Sequence, residues 1–347
     1  MEHQPVNPNA SDSARELLEK LYALRGKTIL SAQHDYIGSG TRYNDQVAEL
    51  VGRSPSIFGG DFSFTYCGEK PEAIHHCGPA NLTEPGHGID QWEYRPEKVF
   101  APESPPQFLD VDLRDSRQAL VERCIALHRA GRLITLMWHC PTPDKGDVSG
   151  NADLWSHGAF AEEKWQEVLT PGTKLHRQWE EQVDRMAVYL KQLQQADVPV
   201  LWRPYHEMNG GWFWWGNRSD FSRLWRQLYV RLTEVHDLNN LLWVWNPNAP
   251  RDTPGDEAGA YADCYPGGDV VDVLATDVYH NDYRDSHYTD LLELADGKPI
   301  ALGEVGHLPE PDLLKQRPLW SWVMPWGGLL FRFNSEERIR ETYSAIS

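Results

Sequence analysis

Two glutamates carry the chemistry most open to reading. Glu207 follows the apolar run Val198–Tyr205 in the segment Arg203-Pro204-Tyr205-His206-Glu207-Met208-Asn209, and Glu304 follows the run Ile300–Gly303. Neither has an obvious local partner. Two carboxylates facing each other over an aromatic cleft suit glycoside hydrolysis. One must be protonated to assist the leaving oxygen; the other must be ionised, to attack the anomeric carbon or to activate water. Like-charge repulsion helps to hold their pKa values apart. Other short apolar runs also end in polar or aromatic residues: Gln33-His34, Asp61, Trp138-His139, Asp277-Val278-Tyr279-His280 and Trp326. One such end alone reads as a solvated strand terminus, whereas their joint occurrence points to one rim.

These residues need elements that bring them together. Apolar runs at Thr28–Ser31, Ile57–Phe58, Leu133–Trp138, Val198–Tyr205, Leu241–Trp245, Val270–Ala275, Ile300–Gly303 and Leu319–Met324 read as eight buried strands. Helical patterns intervene at 13–25, 112–130, 175–196 and 220–236, and a last helix covers about 335–346. Ser13 and Glu16 fit a capping box for the first, and Gly26 fits its stop. The pattern predicts an α/β protein, a (β/α)8 TIM barrel in which residues 1–347 form one domain. In such a barrel, catalytic groups sit at the C-terminal ends of the strands. A doubly wound open sheet is the alternative, but no G-x-G-x-x-G follows an early strand. Residues 61–111, rich in Gly, Pro and His, read as a long loop insertion after strand two.

Composition narrows the partners. The chain has 347 residues, a net charge of −18 and 40% apolar residues, enough for a sizeable core. The acidity argues against nucleic acid as a partner, and it disfavours acidic polysaccharides. No apolar stretch approaches the ~20 residues of a membrane span. The 15 tryptophans suit either stacking on flat, hydroxyl-rich ligands or an aromatic core. Trp179 and Trp225 fall on helix faces and read as packing, while Trp138, Trp212 and Trp326 fall near strand ends. Phe213, Trp214 and Trp215 read as core or loop packing before sugar platforms. Cys67 and Cys77 share a loop-like stretch and would pair only in an oxidising compartment. His75, His76, Cys77, Cys67 and His87 match no common zinc spacing, and His206-Glu207 lacks the second His of H-E-x-x-H. No metal and no cofactor is expected. The N-terminus shows no secretory signal, which leaves a cytoplasmic protein or a trimmed extracellular or periplasmic form.

The segment Arg203-Pro-Tyr-His-Glu-Met-Asn-Gly-Gly-Trp-Phe-Trp-Trp-Gly216, long and unusual in composition, resembles the acid/base signature of glycoside hydrolase family 26. Ala301-Leu-Gly-Glu-Val-Gly306 is similar to that family's nucleophile strand, and Trp138-His139 and Asp277-Val278-Tyr279 extend the resemblance over about residues 28–326. The family consists mostly of endo-β-1,4-mannanases in the barrel clan with catalytic glutamates on strands four and seven. The resemblance implies Glu207 as general acid/base and Glu304 as nucleophile of a retaining mannanase acting on a neutral β-linked polysaccharide or oligosaccharide; a monomer is expected, with no membrane partner. It implies supporting roles for six more residues. Arg203 would pair with or orient the nucleophile, although a structural partnership with Asp61 or Glu304 is the alternative. His206 would hydrogen-bond near the sugar's 2-position or the nucleophile. Tyr279 would donate to Glu304, His139 would contact the sugar, Trp212 would offer a face near the scissile bond, and Trp326 a platform beneath the −1 sugar. Trp320 and Trp322 compete with Trp326 for that last role, since they alternate with it. The 61–111 loop, with Tyr66, His75, His76, His87 and Trp92, departs from the familiar mannanase pattern. Lichenan or other β-1,3-1,4-glucan, β-1,3-xylan, exo-acting mannobiohydrolysis and a non-catalytic carbohydrate-binding barrel stay open as alternatives.

Overall fold

The computed structural model describes residues 3–37, 39–63, 113–145 and 160–347. Nearly all of the predicted 61–111 loop lies outside the described residues, and with it Cys67, Cys77 and the aromatic and histidine residues noted there.

The chain forms, in order, strands β1 (Leu30–Asp35), β2 (Ile57–Asp61), β3 (Leu133–Trp138), β4 (Val200–Pro204), β5 (Leu241–Trp245), β6 (Arg251–Thr253), β7 (Asp256–Ala258), β8 (Val273–Val278), β9 (Ile300–Val305) and β10 (Trp320–Pro325). All but β6 and β7 are parallel and close into an eight-stranded barrel, with β10 pairing back onto β1. The fold is therefore a (β/α)8 barrel. β6 and β7 form an antiparallel hairpin above the barrel's fifth strand. Among the described residues, no helix is long and apolar enough to cross a membrane.

The strands obey a simple parity. Leu30, Ala32, Ile57, Leu201, Leu242, Val244, Val273, Ala275, Ala301, Trp322 and Met324 form one buried cluster inside the barrel. The helix Asp12–Leu24 caps this cluster with Ala14, Leu17, Leu18 and Leu21. Each leucine buried there is worth about 1.5–3 kcal/mol. Residues of the opposite parity, such as Phe58, Ile134, Val200, Trp243 and Leu302, belong to the larger cluster shared with the surrounding helices. Counting on by twos from the inner set, since strand side chains alternate faces, reaches His34, Asp61, Arg203, Asn246, Asp277 and Trp326. All six are buried, and they form the upper layer of the same interior.

This explains where the expected strand boundaries differ from the observed ones. β1 runs to Asp35 and β8 to Val278, whereas the apolar runs suggested Thr28–Ser31 and Val270–Ala275. The apolar pattern stops where the polar layer begins, but the backbone ladder continues through it. The first helix starts one residue earlier than expected, and its cap is Ser11, whose Oγ accepts from Ala14 N at 3.2 Å. Ser13 instead donates to Asp197 at 2.8 Å. The expected helix 220–236 is α-helical over Phe221–Val230 and ends in a π-turn over Arg231–Val235.

Candidate active site

Glu304 breaks the parity rule. Between β8 and β9 the register passes from Thr276↔Leu302 to Asp277↔Glu304, and between β10 and β9 from Val323↔Leu302 to Pro325↔Val305. Between these pairs β9 carries one residue more than either neighbour, after β10 has carried one more between Trp320 and Val323. This bulge falls at Gly303, and it turns Glu304 into the mouth when simple alternation would send it outward. Only glycine fits there: a Cβ on residue 303 would lie 1.8 Å from Asn246 Oδ1 and 2.9 Å from Asp277 Oδ1.

Glu304 is buried and held by two donors. Arg203 Nη2 donates to Oε1 at 2.8 Å, and Tyr279 Oη donates to Oε2 at 2.7 Å. Both donors favour the ionised carboxylate. Arg203 also donates to Asn246 Oδ1 at 3.2 Å and lies 3.5 Å from Asp277. Burial, and next the charge of Glu304, push the Asp277 carboxyl well above its ordinary range. His206 Nε2 stands 3.8 Å from Glu304 Oε1, outside hydrogen-bond range. Burial, with His139, Arg203 and His34 nearby, lowers the His206 pKa well below the ordinary value and favours the neutral ring. Tyr279→Phe would remove a hydrogen bond to a charged group, worth about 1.5–3 kcal/mol. The expected outcome is a roughly 10- to 100-fold lower kcat/KM with an unchanged melting temperature, measured side by side on the two proteins.

Glu207 sits on a strained turn. Tyr205 and Glu207 adopt φ of 47° and 54°, in the left-handed region that non-glycine residues seldom enter. Each such residue costs about 1–3 kcal/mol and persists where surrounding contacts over-determine it. The Tyr205 hydroxyl accepts from Trp179 Nε1 at 2.8 Å, and Glu207 N donates to Asn246 O at 2.7 Å. The Glu207 carboxyl receives Trp212 Nε1 on Oε2 at 2.7 Å and Asn248 Nδ2 on Oε1. Trp212 lies flat on Gly210, where a Cβ would come within 2.1 Å of the indole. Burial, then the Glu304 charge, push the Glu207 pKa up to about 7, against the smaller opposing effects of Arg251, Asn248 and Trp212. The two carboxyls thus occupy different environments: one among donors to its ionised form, the other desolvated beside a negative charge.

The remaining predicted residues line the same mouth. His139 bonds through Nδ1 to Asp61 Oδ2 at 2.5 Å and packs edge-on against His206 at 4.5 Å. Trp326 stacks on His34 at 3.9 Å, which braces one face of the indole. Trp322 belongs to the barrel interior and Trp320 to the outer cluster, so of the three only Trp326 reaches the mouth. Trp138, grouped by the sequence with the strand-end aromatics, is buried in the outer cluster. Trp214 and Trp215 are packing residues, with their N–H groups on Cys140 O and His206 O, both at 2.8 Å. Arg203 pairs with Glu304 and Asp277, while Asp61 serves His139.

His34, named among the polar strand ends, takes its place under Trp326, and three contributors stand outside the residues read from sequence: Asn246, Asn248 and Arg251. Inner parity would have reached Asn246 once the strands were placed. Asn248 and Arg251 follow β5 without any local pattern. Among the described residues, one group of potential ligands, His206, Asp277 and Glu304, has donor atoms within 4.8 Å of one another. The cation serving that group within the chain is Arg203.

The sequence profile of glycosyl hydrolase family 26 matches residues 112–346. The chain belongs to that family. A solved family 26 protein, GH26A from Muricauda sp. MAR_2010_75, is 40% identical with a TM-score of 0.80, covering 97% of this chain and 96% of that one. A mannan endo-1,4-beta-mannosidase of Thermothelomyces thermophilus is 31% identical over 98% of this chain and 61% of its own length. A beta-mannanase from a symbiotic protist of the termite Reticulitermes speratus, solved with a gluco-manno-oligosaccharide, is 25% identical with a TM-score of 0.72 over 98% of this chain and 94% of that one. The chain spans about three fifths of the Thermothelomyces relative and under a third of the Piromyces mannan endo-1,4-beta-mannosidases that it also matches. Within this family 26 barrel, the motif 203–216 and the strand 300–305 provide the two glutamates.

Proposed function

We propose that this family 26 protein is a retaining endo-β-1,4-mannanase in which residues 1–347 act as one catalytic domain. Glu207 protonates the glycosidic oxygen while Glu304 attacks the anomeric carbon, forming a glycosyl-enzyme. Water, deprotonated by Glu207, then releases the sugar with retained configuration. The observation that carries this reading is the contrast between the two carboxyls. Glu304 is bonded by Arg203 and Tyr279, as an ionised nucleophile needs. Glu207, with its pKa pushed up to about 7, holds a proton to donate near neutral pH. The names of the Thermothelomyces and termite-protist relatives support β-mannan as the substrate. Trp326 would floor the −1 sugar, with His139 and His206 at its edge and Trp212 beside the scissile bond. Tyr279 and Arg203 hold the two Glu304 oxygens in place for attack through their hydrogen bonds.

The test is a panel of glucomannan, galactomannan, lichenan and β-1,3-xylan, read by reducing-sugar release and by the anomeric form of the first product. Release from the two mannans with retained configuration is expected, and an early spread of oligosaccharide sizes indicates endo action. Disaccharide as the sole early product would mean exo-acting mannobiohydrolysis. Preferential release from lichenan or β-1,3-xylan would reassign the substrate. Binding without release would make the barrel a carbohydrate-binding module. Retention also requires carboxyl groups about 5–5.5 Å apart in a crystal structure, and a gap near 9 Å would overturn the double displacement.

A further inference from the structure

The two donors to Glu207 converge on a single side chain. Arg251, the first residue of the β6–β7 hairpin, donates through Nη1 to Asn248 Oδ1, and its guanidinium lies 5.2 Å from the centre of the Trp212 ring. Asn248 and Trp212 are the residues whose N–H groups bond the two Glu207 oxygens. Arg251 is fixed from its other side by Asp256, across the hairpin: Nε donates to Oδ2 at 2.9 Å and Nη2 to Oδ1 at 2.5 Å. The guanidinium is nearly buried, with 9% of its side chain exposed. The hairpin is in turn tied to the strained loop that bears Glu207. Ala258 bridges to Gly210, Gly259 N donates to Asn209 O at 2.8 Å, and Asn209 Nδ2 returns to Gly259 O at 2.8 Å.

We propose that Arg251 is a positioning residue for the acid/base: by bonding Asn248 and covering Trp212 it sets the orientation of both Glu207 donors, and its charge balances Glu304 across the Glu207 carboxyl. This rests on the reading of Glu207 as acid/base. The charged and titratable groups around it, among the described residues, come from three elements. Glu304 faces Glu207 from β9, Asp277 and Tyr279 sense its charge from the end of β8, and Arg251 faces it from the hairpin. Asp256 neutralises part of the Arg251 charge, and His280 Nε2 lies 3.2 Å from Asp256. Arginine suits this place because one planar group makes the bidentate bond, the amide bond and the ring contact at once. A lysine would keep the charge and lose the fork.

The sign of the effect follows. An opposite charge favours the ionised carboxyl, so its removal makes Glu207 hold its proton to higher pH. Loss of the two oriented donors acts in the same direction.

The experiment is the pH profile of kcat/KM for wild type, Arg251→Met, Arg251→Lys and Glu207→Ala. Each is measured on an unactivated manno-oligosaccharide and on a dinitrophenyl β-manno-oligoside, whose leaving group needs no acid. Arg251→Met should move the alkaline limb upward by about half to one pH unit. It should also lower kcat/KM on the unactivated substrate roughly tenfold more than on the activated one. Arg251→Lys should keep the limb within about 0.3 unit of wild type and recover part of the discrimination. If Arg251→Met does not fold, Arg251→Gln against Arg251→Lys reads the same contrast between neutral and charged side chains. An unmoved limb, with equal losses on both substrates, makes Arg251 a structural residue only and overturns the proposal. Glu207→Ala separates the two readings. If it discriminates between the substrates and Arg251→Met does not, only the Arg251 role falls. If Glu207→Ala loses both substrates alike, the acid/base assignment fails and the Arg251 role falls with it.

Discussion

Glu304→Ala is expected to abolish turnover on every substrate, activated or not, by a factor of roughly 10⁴–10⁶. The proposed attacking oxygen is gone, and among the described residues no neighbour replaces it. Burial favours the neutral His206 ring, Tyr279 is a donor whose own pKa is raised by burial and then by the charge of Glu304, and burial pushes the Asp277 carboxyl well above its ordinary range. The substitution should leave the barrel intact. It unburdens a crowded site of one negative charge, and Arg203 keeps Asp277 and Asn246 as partners. The check is a single-turnover assay with a dinitrophenyl glycoside, together with circular dichroism. Residual turnover above about a thousandth of wild type in a folded variant would remove Glu304 from the nucleophile's role. An external anion such as azide gives a second reading, because it should enter the vacated space and yield the product of inverted configuration.

Glu207→Ala is expected to behave differently, and the difference separates acid/base from nucleophile. Loss of general acid catalysis costs about 10²–10⁴-fold where the leaving oxygen must be protonated. On a dinitrophenyl glycoside the same variant should retain most of its kcat/KM and lose kcat, because the glycosyl-enzyme now waits for an unassisted water. The pH dependence points the same way. In the proposed mechanism Glu207 donates a proton in the first step, so kcat/KM should fall as pH rises through about 7, the value to which burial and the Glu304 charge raise its pKa. That alkaline limb should vanish in the variant on the activated substrate. A wild-type profile flat to pH 9, or an unaltered limb in Glu207→Ala, would reassign the acid.

The tryptophans show how an ambiguous composition resolves. Most of the bulky indoles are core: Trp138, Trp165, Trp179, Trp202, Trp214, Trp215, Trp225, Trp243, Trp245 and Trp322 are all fully buried. Trp212 and Trp326 differ in kind. Both pack against charged or titratable groups of the mouth: Glu207 and Arg251 around one, His34 and His139 around the other. The strand-end position of Trp138 was misleading because its parity is outward, whereas Trp326 continues the inward series of Trp322 and Met324.

Local rules were sufficient for a large part of this protein. Eight apolar runs separated by helical periodicity specify the barrel, because a parallel strand buried on both faces has no other composition available to it. The segment 203–216 stands out by its resemblance to a family signature, and the order of Glu207 and Glu304 along the chain puts the first just after the fourth barrel strand and the second on the seventh. What tertiary structure alone decided is register and contact. Whether Glu304 faces the mouth depends on one inserted residue at Gly303, visible only when β9 is paired with both neighbours. Which carboxylates Arg203 serves depends on β8 and β9, and the donors that hold Glu207 come from the segments that follow β4 and β5. A hydrogen bond spanning 101 residues, as from Arg203 to Glu304, leaves no periodic trace in sequence. The raised pKa of Glu207 has the same origin, since desolvation and neighbouring charge are properties of a place in space and not of a position in the chain.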